Sequence, residues 1–113
     1  MITLDVLKSL GVDTDKGLAM CMGNEALYLK LVNSVPTEKR FDDLAKAIDE
    51  GNLDAAFDAA HALKGVLGNL SLTPLYDKTA EITELLRGKA DADYKGLMAE
   101  LISKRDDLAE YCK

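Results

Sequence analysis

The chain is poor in residues that interrupt helices and in residues that bind metals. Its 113 residues include two prolines, two cysteines, one histidine and no tryptophan. A four-ligand zinc site would have to recruit carboxylates, so we expect no structural metal. Cys21 and Cys112 stand near opposite ends of the chain, and we expect two unpaired thiols. Few aromatic residues and abundant Leu, Ala, Lys, Glu and Asp favour helix, so the expected fold class is all-α.

The chain also lacks an excess of positive charge. It has 14 Lys and Arg against 20 Asp and Glu, a formal net charge of −6. No basic stripe could follow a phosphate backbone, so we expect no nucleic-acid partner. No apolar run approaches the ~20 residues of a membrane span, and the first residues lack the basic start and apolar stretch of a secretory signal. We therefore expect no membrane contact and a cytoplasmic location.

The length and composition predict a single domain over residues 1–113. With 48% apolar and 30% charged residues, the chain can bury one core and keep a polar surface. Short apolar segments predict N-terminal helices within residues 1–22, the first of them closed by Gly11. Apolar residues at spacings of three and four predict a bundle over residues 24–112. The expected architecture is an antiparallel four-helix bundle with the short helices covering one end.

Helix boundaries are predicted from capping residues and breakers. Pro36 interrupts the first bundle helix, and the sequence leaves open whether it kinks or splits that helix. Thr37 is predicted to cap the stretch after the proline. Thr73 is predicted to cap a later helix, with Pro74 in its first position. The last helix is predicted to run from about Asp91 to Tyr111.

The bundle helix that follows Gly51 carries the histidine, His61. Its apolar residues recur at spacings of three and four and form an inward-facing seam. These residues are Leu53, Ala56, Ala60, Leu63, Leu67 and Leu70. At ~100° per residue, His61 lies roughly 130° from the centre of this seam, so its imidazole is expected at the surface.

Two glycines follow His61 on the same flank of the helix. Gly65 and Gly68 lie one and two turns onward. Glycine in an exposed helix costs about 0.5–1 kcal/mol relative to alanine, so these positions suggest clearance for a bulky partner that must reach the ring. Gly68 lies nearer the seam, and for Gly68 close packing of a neighbouring helix is the alternative.

The imidazole could act as a phosphoryl acceptor. A neutral imidazole is nucleophilic, and histidine is predominantly neutral at cytoplasmic pH. Lys64 lies one turn beyond His61, where its ammonium can offset charge on phosphoryl oxygens. The alternative for Lys64 is an ordinary solvated lysine. The acidic residues Asp42, Asp43 and Glu50 are expected to be solvated helix faces.

This region resembles the signature of histidine-containing phosphotransfer (HPt) domains. The resemblance rests on the string His61-Ala62-Leu63-Lys64-Gly65, preceded by Ala60 and followed by Gly68 and Leu70. The segments Gly23-Asn24-Glu25 and Leu27-Tyr28-Leu29 and the turn at Gly51 are also similar to that family. The chain differs from the family at Ser71, where glycine is common, and at Val66 and Leu67, where small residues are common.

The resemblance implies a phosphorelay carrier in two-component signalling. His61 would accept a phosphoryl group from an aspartyl phosphate on a response-regulator receiver domain and pass it to another receiver, with Lys64 stabilising charge. Phe57, Asp58, Gly65 and Gly68 would contact the partner.

The resemblance to HPt domains also has implications for cofactors and partners. Mg²⁺ would belong to the receiver, and no cofactor is expected on this chain. No glycine-rich phosphate loop is present, so independent kinase activity is not expected. Partners would be receivers and a hybrid histidine kinase, and the chain itself would be a monomer. The alternative is a non-transferring helical adaptor that binds a receiver or kinase.

Overall fold

The computed structural model describes residues 2–112, and within that range the chain forms helices and no strands. The helices are α1 (Leu4–Ser9), α2 (Thr14–Met20), α3 (Glu25–Ser34), α4 (Lys39–Asp49), α5 (Leu53–Asn69), α6 (Thr73–Arg87) and α7 (Tyr94–Tyr111). A 3-10 turn, Val35–Thr37, separates α3 from α4. The predicted all-α fold is confirmed.

Helices α4 to α7 form the bundle. Helix α5 packs against α4 and α6, and α7 closes the ring against α6 and α4. Short connections join successive helices, which therefore run antiparallel. The largest fully buried side chains of this core include Phe41, Leu44, Leu63, Ile82 and Leu101. Among the described helices, none has both the length and the apolar character that a membrane span requires.

Helices α1 to α3 cover the end of the bundle where α5 ends and α6 begins. The Tyr28 side chain is fully buried, and its hydroxyl donates a 2.8 Å hydrogen bond to the carbonyl of Leu70. Gly17 of α2 lies against the Tyr28 ring so closely that a Cβ would stand 2.5 Å from the ring carbon Cε1. Burial raises the pKa of the Tyr28 phenol to about 12, with smaller contributions from Cys21 and Asp13. The tyrosine thus ties the N-terminal helices to the bundle.

Pro36 splits the predicted first bundle helix into two. Proline has no backbone N–H and its ring clashes with the preceding turn, so α3 ends just before the 3-10 turn that contains it. The predicted cap at Thr37 is wrong. Glu38 caps α4 instead, its carboxylate accepting from the backbone N–H of Arg40 at 3.3 Å. The Thr37 hydroxyl faces back along the chain and donates to the carbonyl of Ser34 at 2.9 Å.

Two further boundaries differ from the prediction. Thr73 is the first residue of α6 and not its cap, because its N–H and hydroxyl both turn back to the carbonyl of Ser71, at 2.9 and 3.3 Å. Pro74 therefore occupies the second helical position. Helix α7 begins at Tyr94, later than predicted, because the Asp93 side chain caps it by accepting from Gly96 N–H at 2.9 Å.

Candidate functional site

His61 lies near the middle of α5 and is exposed. The helix begins at Leu53 and is capped by Asn52, whose side chain accepts from the N–H of Ala55 at 3.1 Å. From that start, the helical period directs one seam of α5 into the core, and its buried members are Ala56, Ala60, Leu63 and Leu67. The opposite face, with His61, is directed to solvent. The orientation predicted from the spacing of apolar residues is confirmed.

The imidazole of His61 stacks on the ring of Phe57. The two ring centroids are 5.8 Å apart and the planes differ by 15°. Phe57 is half-buried and packs against the core, and the guanidinium carbon of Arg87 lies 5.0 Å from its ring centroid. Phe57 was predicted to contact a partner, whereas no role was predicted for Arg87. Arg87 belongs to α6, and no local signal in the sequence connects it to His61.

Lys64 supplies a cation one turn after His61. Its side chain is half-buried. Within residues 2–112, its ammonium does not take part in a salt bridge with any carboxylate. Asp58, one turn before the histidine, is exposed. The lysine is therefore available to a negatively charged group that arrives at the imidazole.

The two glycines of this face have different surroundings. A Cβ built on Gly65 meets nothing within 4 Å. A Cβ built on Gly68 would stand 3.1 Å from Cε2 and 3.3 Å from Cδ2 of Tyr76, a residue of α6. Gly65 therefore leaves open surface beside His61, whereas Gly68 allows α6 to approach α5. The packing alternative considered for Gly68 agrees with this geometry.

The end of α5 adopts a conformation that favours glycine, although the residue there is serine. Ser71 has φ +55°, and its N–H donates to the carbonyl of Gly68 at 3.1 Å. The N–H of Leu72 donates to the carbonyl of Leu67, also at 3.1 Å. These two bonds form a Schellman motif, in which the residue at the Ser71 position is usually glycine. The serine thus preserves the helix exit at the cost of backbone strain.

No cluster of three or more His, Cys, Asp or Glu side chains suited to a metal ion occurs within residues 2–112. Cys21 is buried and Cys112 is half-buried, and both thiols are free. Asp42, Asp43 and Glu50 are exposed on and just after α4. The site at His61 therefore consists of an imidazole, a neighbouring ammonium, an aromatic stack and a bare patch. An imidazole nitrogen beside an ammonium can accept a phosphoryl group.

Comparison with known proteins identifies the family. A family model described as the Hpt domain matches residues 36–111, which is more than half of the chain and contains α4 to α7. No curated protein and no solved structure matches the chain. The matched region includes the histidine helix and all its bundle partners, and the chain belongs to the Hpt domain family.

Proposed function

We propose that this protein is a phosphorelay carrier in which His61 accepts a phosphoryl group from the phosphoaspartate of one receiver domain and passes it to another. Membership of the Hpt family implies phosphotransfer in two-component signalling. The observation that carries the proposal is the exposed imidazole of His61 beside the open surface at Gly65. A receiver must bring a recessed aspartyl phosphate to the ring, and a bare helix surface lets its rim come close.

The transfer needs no oxidant and no further co-reactant. A lone pair on one ring nitrogen of His61 attacks the phosphorus, forming a P–N bond while the P–O bond to the aspartyl carboxylate breaks. The receiver carboxylate leaves with the electron pair of that bond, and the second ring nitrogen keeps its proton. The reverse step, toward another receiver, uses the same bonds in the opposite order.

Lys64 is the charge-stabilising residue in this proposal. Its ammonium lies one turn from His61 and has no carboxylate partner among the described residues. It can therefore offset the negative charge of phosphoryl oxygens during transfer and on the phosphohistidine. Mg²⁺ would be bound by the acidic pocket of the receiver.

We further propose that the protein has no kinase activity of its own and acts as a cytoplasmic monomer. Its partners would be receiver domains and a hybrid histidine kinase. Phe57, Asp58, Gly65 and Gly68 were predicted to contact the partner, and of the two glycines Gly65 has the more open surroundings.

A labelling experiment tests the proposal. Receiver domains carrying radiolabelled phosphoaspartate are incubated with the wild-type chain and with the His61→Gln variant, and the acid and base stability of any adduct is measured. We expect an acid-labile, base-stable adduct on the wild type, no label on the variant, and binding of the receiver by both. A wild-type protein that binds phosphorylated receivers without taking up label would instead be the non-transferring adaptor.

A further inference from the structure

We infer that Phe57 is a positioning residue for His61, and that Arg87 holds Phe57 in place. This inference rests on the proposed function, since it concerns how the phosphoacceptor ring is presented. It assigns Phe57 a role within the chain in addition to, or in place of, contact with a partner.

An exposed histidine on a helix has no intrinsic fixed orientation. Its first side-chain torsion has two accessible staggered positions in a helix, and its second torsion is broad. Side chains in a helix lean toward the N-terminus, so the imidazole of His61 lies over the turn that contains Phe57. The stack at 5.8 Å and 15° falls within the ~4.5–7 Å range of favourable aromatic pairs and restricts the plane in which the ring lies.

The stack restricts the ring without covering its reactive atoms. The lone pair of an imidazole nitrogen lies in the plane of the ring, whereas Phe57 contacts the face of the ring. A phosphoryl group arriving in that plane therefore does not meet Phe57. Fixing the nucleophile before the partner arrives lowers the orientational cost of the reaction.

Phe57 is itself held from two sides. Its ring is half-buried against the core, and the guanidinium of Arg87 lies 5.0 Å from the ring centroid. Arg87 is oriented in turn by Glu84, with Nε and Oε1 3.3 Å apart. The last turn of α6 thus supports the aromatic pair of α5, and the orientation of His61 depends on a second helix.

A small phosphodonor distinguishes a role of Phe57 in positioning His61 from a role of Phe57 in docking a protein partner. Phosphoramidate transfers its phosphoryl group to an imidazole nitrogen with release of ammonia, so it labels His61 without a protein partner. We expect Phe57→Leu, which keeps an apolar side chain against the core, to slow this labelling by roughly two- to tenfold, the bias that one aromatic stack gives. Phe57→Tyr keeps the stack and should restore the wild-type rate.

A matched pair of arginine variants tests the support from α6. Arg87→Gln removes the cation over Phe57 and should slow labelling by about twofold. Arg105 lies over Phe41 at a similar distance, 5.4 Å, elsewhere in the bundle. Arg105→Gln removes the same kind of contact away from His61 and should leave the labelling rate unchanged.

Nuclear magnetic resonance gives a readout that a structural role alone would not move. In the wild type, the imidazole protons of His61 should be displaced upfield by the Phe57 ring and show cross-relaxation with it, and both signals should be lost in Phe57→Leu. Absence of these signals in the wild type would overturn the inference even if the variants failed to fold. The inference would also be overturned if Phe57→Leu slowed transfer from a phosphorylated receiver but left the labelling rate from phosphoramidate unchanged. Phe57 would then be a partner contact. A wild type that takes up no label from phosphorylated receivers would overturn the proposed function itself.

Discussion

Replacing Ser71 with glycine should stabilise the protein. The φ of +55° at Ser71 is a left-handed conformation, which costs an L-residue roughly 1–2 kcal/mol. Glycine avoids this cost but loses about 0.5–1 kcal/mol more backbone entropy on folding, so the net backbone gain is about 0.5–1 kcal/mol. The two Schellman hydrogen bonds involve backbone atoms and would remain in Ser71→Gly.

The Ser71 hydroxyl adds a second contribution. It is buried and has no hydrogen-bond partner among residues 2–112. An unsatisfied buried polar group costs about 1–3 kcal/mol, and the lower value applies to a helix exit close to the surface. Together, the two effects predict that Ser71→Gly raises the free energy of unfolding by about 1.5–2 kcal/mol, or roughly 6 °C in Tm.

Two control variants separate these contributions in urea and thermal unfolding experiments. Ser71→Ala removes the hydroxyl and keeps the backbone strain, so it should gain about 1 kcal/mol. Met22 has φ +57° and a side chain that is 94% exposed, so Met22→Gly should gain only the backbone part, about 0.5–1 kcal/mol. If Ser71→Gly gained no more stability than Met22→Gly, the buried hydroxyl would not be a cost. If Ser71→Gly lost stability, the left-handed backbone at Ser71 would not be a source of strain.

Further predictions concern the two glycines, the lysine and the buried tyrosine. Gly65→Ala should raise the unfolding free energy by about 1 kcal/mol in urea titrations, and Gly68→Ala by clearly less, because the ring of Tyr76 must move. Gly65→Gln should fold normally yet slow label transfer from a receiver. An unchanged rate would mean that the receiver does not need the bare surface at Gly65 to reach His61. Lys64→Ala should reduce the transfer rate more than the receiver affinity measured by calorimetry. A transfer rate equal to that of the wild type would mean that Lys64 is an ordinary solvated lysine. The folded-state pKa of Tyr28, about 12 against an ordinary 10.0, means that the unfolded chain loses this proton first. Stability should therefore fall between pH 10 and 12 by about 2 kcal/mol more in the wild type than in Tyr28→Phe, as measured by urea unfolding at each pH.

The parts of the fold that follow from helical periodicity could be predicted from the sequence. The seam of the histidine helix depends only on the spacing of apolar residues, and the structure buries Ala56, Ala60, Leu63 and Leu67 as predicted. The exposure of His61 follows from the same period. A regular helix converts sequence distance into angle, so these predictions required no knowledge of the other helices.

Boundaries near prolines and contacts between helices could not be predicted in this way. Thr37 and Thr73 have the side chains of good caps, but each turns back to a carbonyl of the preceding turn. The contact of Arg87 with Phe57 depends on how α6 packs against α5. That packing is a property of the whole bundle, and residue preference or spacing along one helix does not contain it.

At the candidate site, Gly65 and Gly68 show the same difference between spacing along one helix and packing between two helices. Three residues along a helix correspond to a rotation of about 300°, or 60° in the opposite sense, which is enough to move a side-chain position from open solvent to the flank of the next helix. Tyr76 occupies that flank, so the fold itself explains Gly68. Nothing within 4 Å explains Gly65, although a glycine there weakens the helix by about 1 kcal/mol. A destabilising residue that the fold does not require, one turn from an exposed imidazole, is what the proposed receiver partner would need in order to come close to His61.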